Sequence, residues 1–213
     1  MKGTAQRPKR RTLRTGVIGA LTVWFAIGAA LGPGSAGAIE SSNSVVDRHG
    51  RTIEAVSAET NIHFVPPLDG NPLTREWFHS GRYCYRITGP DVDGWDGGIA
   101  IGYQVGYPAT LTGRIKFSWS TPGLDVEVFP DVAVGLTDVI PKLGMELEVG
   151  FGPGIQEAEL ASGSISGAGG CVQVSGGHGS VTGVVGPTTI RPYVAVTGPS
   201  GDTAIAYGRL ITN

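Results

Sequence analysis

From Arg114 to Ser120 the chain alternates without a break: Ile115, Phe117 and Trp119 are apolar, and Arg114, Lys116, Ser118 and Ser120 are polar. A period of two marks a β-strand with one apolar and one polar face. The phase slips by one at Pro122-Gly123, after which Leu124, Val126 and Val128 carry the apolar face and Asp125 and Glu127 the polar one. A bulge or bend there keeps one face apolar throughout. Met145, Leu147, Val149 and Phe151 then alternate with Glu146 and Glu148. Joined through Phe129-Pro130-Asp131 and a stretch ending at Pro141, the two runs predict a long hairpin over 112–151, apolar on one face and charged on the other.

Elsewhere the pattern is strand and turn. Residues 39–60 alternate weakly, as an edge strand or an ordered N-terminal arm does. Pro66 to Pro72 forms a turn cluster, and Leu73 to Gly81 reads as a single helical turn capped by Thr74, with Trp77 and Phe78 plugging a core. Tyr83 to Thr88 and Gly97 to Gly106 are strands separated by a Gly89-Pro90-Asp91 turn. With 35 glycines and 14 prolines, the expected fold class is all-β, built of short strands and tight turns in a sandwich or barrel.

The first sixteen residues hold six basic side chains and no acid, and an apolar run from Val17 to Leu31 follows. That run is shorter than the ~20 residues a spanning helix needs, and Ala36-Gly37-Ala38 is a small-x-small cleavage pattern. Residues 1–38 are therefore read as a signal peptide, with the mature chain starting at Ile39. Its removal takes six of the 16 basic residues and none of the 18 acids, leaving ten against 18, a net charge near −8 instead of −2. An acidic exported chain argues against a nucleic-acid partner and favours cations. Export also exposes Cys84 and Cys171 to an oxidising compartment, where they either pair or stand as separately buried thiols.

Catalytic chemistry finds no constellation. His49, His63, His79 and His178 have no metal-type spacing, and neither a nucleophile elbow nor H-E-x-x-H occurs. Gly150-Phe151-Gly152-Pro153-Gly154 lacks the Lys and Ser/Thr of a phosphate loop. His79 and His178 are read as structural hydrogen-bonding residues. The chain is not expected to be an enzyme, and no cofactor or metal is implied.

Periodicity alone leaves the hairpin with two readings. It is either an ordinary half-buried hairpin of a secreted or surface β-sandwich that binds a partner, or two strands of a transmembrane barrel, apolar toward lipid and charged toward a lumen. Trp119 suits a sandwich core or an aromatic girdle equally. A wide pore needs more strands than one hairpin supplies, so several subunits must each contribute one.

Four runs carry a resemblance: Asn71 to Arg82 (NPLTREWFHSGR), Gly102 to Pro108 (GYQVGYP), Gly152 to Glu157 (GPGIQE) and His178 to Gly183 (HGSVTG). Their order and spacing resemble the MspA-type porins of mycolic-acid-bearing bacteria from about Val46 to Tyr207. The resemblance implies an outer-membrane octamer with a β-sandwich rim (39–111 and 152–213) and a sixteen-strand stem made of one hairpin per subunit (112–151). Small hydrophilic solutes and ions pass through such a channel. Partners so implied are further copies of the chain, as a homo-octamer or a mixed oligomer with a related porin, and outer-membrane lipids. The family's constriction acids follow a Thr-Pro pair like Thr121-Pro122, which makes Asp125, Glu127 and Asp131 the candidates here. Arg114, Lys116, Glu146 and Glu148 are expected to line the lumen; Ile115, Phe117, Trp119, Met145, Leu147 and Val149 are expected to face lipid. Two further acids of the family's inner rim fall on Ser164 and Gly169, so the charge is redistributed.

Overall fold

The computed structural model describes the backbone of residues 39–120, 123–128 and 145–213, and the side chains there except those of 117, 119, 120, 123–128 and 145–147. Residues 1–38, expected to be a signal peptide, and Asp131 lie outside the described residues. In chain order the strands are β1 (Ile39–Val46), β2 (Thr52–Val65), β3 (Thr74–Thr88), β4 (Asp96–Tyr107), β5 (Ala109–Thr110), β6 (Arg114–Ser120) and β7 (Gly123–Val128). They continue with β8 (Met145–Glu148), β9 (Gly154–Ser166), β10 (Gly169–Thr182), β11 (Val184–Val185), β12 (Thr189–Thr197), β13 (Thr203–Tyr207) and β14 (Ile211–Thr212). The fold is all-β.

One antiparallel sheet runs β1-β2-β3-β10-β6-β8, with β7 also on β10; the other runs β13-β12-β4-β9, with β14 on β12. The β11–β5 pair stands apart. The two larger sheets share one core: Ile53, Tyr83, Tyr85 and Val174 of the first pack with Ile101, Val105, Leu160 and Val194 of the second. Trp77 meets Tyr103 edge to face across the layers at 5.9 Å.

Five strands are 12 to 15 residues long, contrary to the short strands expected from composition. Several glycines lie inside strands, beneath aromatic rings, instead of at turns. A Cβ on Gly179 would stand 2.5 Å from the Trp77 ring, on Gly154 2.5 Å from Tyr107 Oη, and on Gly102 2.8 Å from Tyr193. Each ring fills the space a side chain would take.

The helical turn expected over Leu73 to Gly81 is also overturned, because Thr74–Thr88 is one strand. Trp77, His79, Gly81 and Tyr83 face inward in strict alternation, while Phe78 faces out at 38% exposure. Thr74 caps no helix; its hydroxyl donates to Asp69 Oδ2 at 3.1 Å and meets Thr182 Oγ1 at 3.1 Å. Gly81 explains a second feature of β3. Residues four apart on a strand are far from contact, yet Tyr83 Oη and His79 Nε2 are 2.8 Å apart because the tyrosine ring leans over the bare Gly81. Tyr103 Oη meets His79 Nδ1 at 2.7 Å. Burial drives the His79 pKa down to about 3 and the Tyr83 pKa up, so a neutral imidazole sits between two neutral phenols.

Of the two alternatives for the cysteines, the structure contains the disulfide. Cys84 of β3 and Cys171 of β10 are register partners, with Cα atoms 4.0 Å apart and an S–S bond of 2.09 Å.

Candidate functional site

The base of the expected hairpin, where β6 meets β8, lies at one end of the sandwich. Gly113 and Gly150 face each other at its base, with φ of +70° and +78°. Val149 N–H and Gly150 N–H both donate to Gly113 C=O, at 2.8 and 3.1 Å. The buried Thr110 hydroxyl donates to Gly150 C=O at 2.6 Å and accepts from Gly113 N–H at 3.1 Å, which ties this base to the sandwich.

Above the base, β6 and β8 pair as the alternation requires, with Arg114 opposite Glu148, Ile115 opposite Leu147, Lys116 opposite Glu146 and Phe117 opposite Met145. Arg114 Nη2 and Glu148 Oε1 are 2.6 Å apart, and Arg114 Nε–H donates to the same oxygen at 3.1 Å. With side chains 58% and 76% exposed, this pair is worth at most about 1 kcal/mol. Lys116 is exposed as well.

Ile115 is a correction. Its side chain is 1% exposed and belongs to the sandwich core, and Val149 packs against the same cluster. Alternation identifies an apolar face without saying what covers it, and at the root of the hairpin the cover is protein. The side chains of Phe117, Trp119, Met145, Leu147, Glu146, Asp125 and Glu127 lie outside the described residues.

The strand beyond Ser120 runs along β10. Lys116 to Ser120 pair with Thr182 to His178, and Gly123 to Val128 pair with Ser175 to Gly170. Asp125 stands opposite Gln173 and Glu127 opposite Cys171; Leu124 and Val126 stand opposite Val174 and Val172 of the core. Thr121 and Pro122, where the phase slip is read, lie outside the described residues, and the pairing with β10 has the same register on either side of them. Register shifts do occur against β3: in β10 between Val174 and Gly177, and in β2 between Ala58 and Asn61. Glu59 there has a φ of +52°.

Two groups went unnoticed in the sequence. On the outer face of the larger sheet, His63, Phe78 and His178 form a cross-strand row, with ring centroids 5.7 and 5.0 Å apart. His178 Nε2 is 2.7 Å from Glu76 Oε1, and Leu68 N–H donates to Glu76 Oε2 at 3.0 Å; these bonds hold the Glu76 carboxyl below its ordinary pKa. The second group is apolar. Leu68, Leu111, Phe151, Ile155 and Val185 are 96, 59, 70, 68 and 38% exposed, all at the end from which the hairpin leaves. No periodicity announces them, since four lie in turns or beside them and only the fold gathers them. Ser164, one of the two positions where the resemblance implies a lost acid, is exposed on β9, and Gly169, the other, opens β10.

A family model described as MspA matches residues 49–212. The chain is 41% identical over 183 residues to Porin MspD of Mycolicibacterium smegmatis, covering 83% of this chain and 88% of that protein. It is 39% identical over 177 residues to Porin MspB of the same organism, covering 80% and 82%. Porin MspA, again from that organism, is 39% identical over 177 residues, covering 80% and 84%.

Proposed function

The chain belongs to the MspA family, and from that premise we propose that it is a subunit of an outer-membrane porin, exported by its leader. Eight copies each contribute a hairpin to a sixteen-strand barrel, and small hydrophilic solutes and ions diffuse through it. What supports this reading is the apolar/charged alternation in the sequence of β6 and β8, paired in register at the end of the sandwich that gathers the exposed Leu68, Leu111, Phe151, Ile155 and Val185. An apolar end beside a membrane-entering element suits a bilayer, and the opposite end carries Arg48, His49, Asp91, Asp93 and Asp202. Closing the hairpins into a barrel satisfies every strand edge in lipid.

Ion preference follows from the acids. Asp125, Glu127 and Asp131 repeated around the axis form carboxylate rings that lower the energy of a cation and raise that of an anion. Arg114 and Lys116 oppose them only locally, because Glu148 engages Arg114 and Glu146 stands opposite Lys116. The channel is therefore cation-preferring. A reversal potential measured across a KCl gradient with the sign of cation selectivity supports this, and the opposite sign overturns it. One observation favours a second reading, a surface β-sandwich without channel activity: β7 pairs with β10 inside the same chain.

A further inference from the structure

In a ring of like copies each subunit meets its neighbours through two different surfaces. Arg114 and Glu148, paired across β6 and β8, point away from the core that holds Ile115. A lumen lined by that pair lies on the outward side of the larger sheet, so the neighbours stand at the edges of the sandwich. At one edge the chain passes from β8 into β9, the last strand of the smaller sheet; at the other, β1 lies beside β13. We propose that β1 of one copy runs along the open side of β9 of the next and forms the seam between adjacent sandwiches. This rests on the porin reading above.

Three features carry it. The first is the edge on β9. This strand is 13 residues long, and among the described residues it pairs with β4 on one side and with no strand on the other. Proteins guard such edges against other chains with Lys, Pro or a bulge. β9 has neither Lys nor Pro, and its register shift lies between Glu159 and Ala161, which leaves Ala161 to Ile165 regular and uncharged.

The second is the strand that covers it. β1 pairs with β2 on one side, and six of its eight residues are exposed, so a neighbour can reach it without displacing any other part of the chain. Its middle is Ser41, Ser42, Asn43 and Ser44, and the matching part of β9 is Ala161, Ser162, Gly163 and Ser164. Side chains this small let two backbones approach to the ~4.8 Å spacing of a ladder, and no like charges meet.

The third is level and direction. Asn43 Nδ2 donates to Ile205 C=O at 3.0 Å, and the register of the smaller sheet carries that level across through Ala195 and Ala100 to Ser162 of β9. The middle of β1 at one edge is thus level with the uncharged stretch of β9 at the other. Both strands run away from the end where β6 meets β8. Rotation about the barrel axis keeps level and direction, and so brings the two together as a parallel pair.

The test links the two strands. Ser44→Cys with Ser164→Cys puts one thiol on each; both positions are exposed in the single chain, and the native cysteines are bonded to each other. With a short bifunctional methanethiosulfonate, the assembled double variant should give a covalent ladder up to the full oligomer on a non-reducing gel, at least tenfold more than either single variant. The unassembled double variant should give none. Hydrogen exchange on the unsubstituted mature protein reads the same seam: amides of 161–165 that point away from β4 should exchange at least tenfold more slowly in the oligomer than in the monomer. Conducting oligomers that give no ladder, or whose amides there exchange as in the monomer, overturn the proposal. A monomer in which those amides are already protected also overturns it, because the chain then covers its own edge. Unsubstituted protein that stays monomeric and makes no channels overturns the porin reading and this proposal with it.

Discussion

Removing the disulfide with Cys84→Ala and Cys171→Ala should cost the monomer about 4–5 kcal/mol of stability. The bond joins residues 87 apart in sequence. In the chain-entropy description, closing a loop of that length removes about 15 cal/mol/K from the unfolded ensemble, or ~4.6 kcal/mol at 25 °C. For a chain of this size that is a fall in Tm of roughly 10–15 °C. The folded state should change little, because β3 and β10 keep twelve register pairs. Equilibrium urea unfolding followed by tryptophan fluorescence is a suitable assay, since Trp77 and Trp95 are 2% and 0% exposed. The m value should also rise, because an unfolded chain free of the cross-link exposes more surface. A loss below about 1 kcal/mol, in a variant whose parent carries the bond by mass spectrometry, refutes the loop-entropy argument.

His79 gives a pH prediction. Its pKa falls from 6.5 unfolded to about 3 folded, so between those values only the unfolded chain takes up the proton. Stability should decline as pH drops from about 6.5 toward 3, by up to roughly 4–5 kcal/mol, and His79→Gln should flatten that slope in urea titrations at several pH values. Gly179→Val should destabilise by about 3 kcal/mol or more in the same assay, because its Cβ meets the buried Trp77 ring at 2.5 Å. Ile115→Ala should cost the soluble monomer about 2–4 kcal/mol, which a lipid-facing side chain would not. Asp125→Asn with Glu127→Gln should move the KCl-gradient reversal potential toward zero; an unchanged potential removes these two residues from the constriction.

The paired part of the hairpin was legible because its signal is local. Strict alternation over Arg114 to Ser120 and Met145 to Glu148 fixes which residues share a face, and the register places Arg114 opposite Glu148 as that pattern requires. What covers the apolar face is a tertiary fact, which is why Ile115 was assigned to lipid and is found in the core. The turn expected at Thr74 failed for a related reason. Adjacent Trp77 and Phe78 look helical in isolation, and Gly81 hides the alternation of β3 until Tyr83 is seen leaning over it. Glycines under Trp77, Tyr107 and Tyr193 were counted as turns because composition carries no position. The cysteine pairing needed the β3–β10 register, which joins strands 87 residues apart at that point.

The central claim is that copies of this chain assemble into a water-filled pore. Detergent-extracted protein, added to a planar bilayer while oligomer mass is read on the same sample, tests it most directly. Stepwise conductance from a sample whose mass is that of a multi-subunit assembly is the predicted result. A sample that stays monomeric and leaves the bilayer silent contradicts the account.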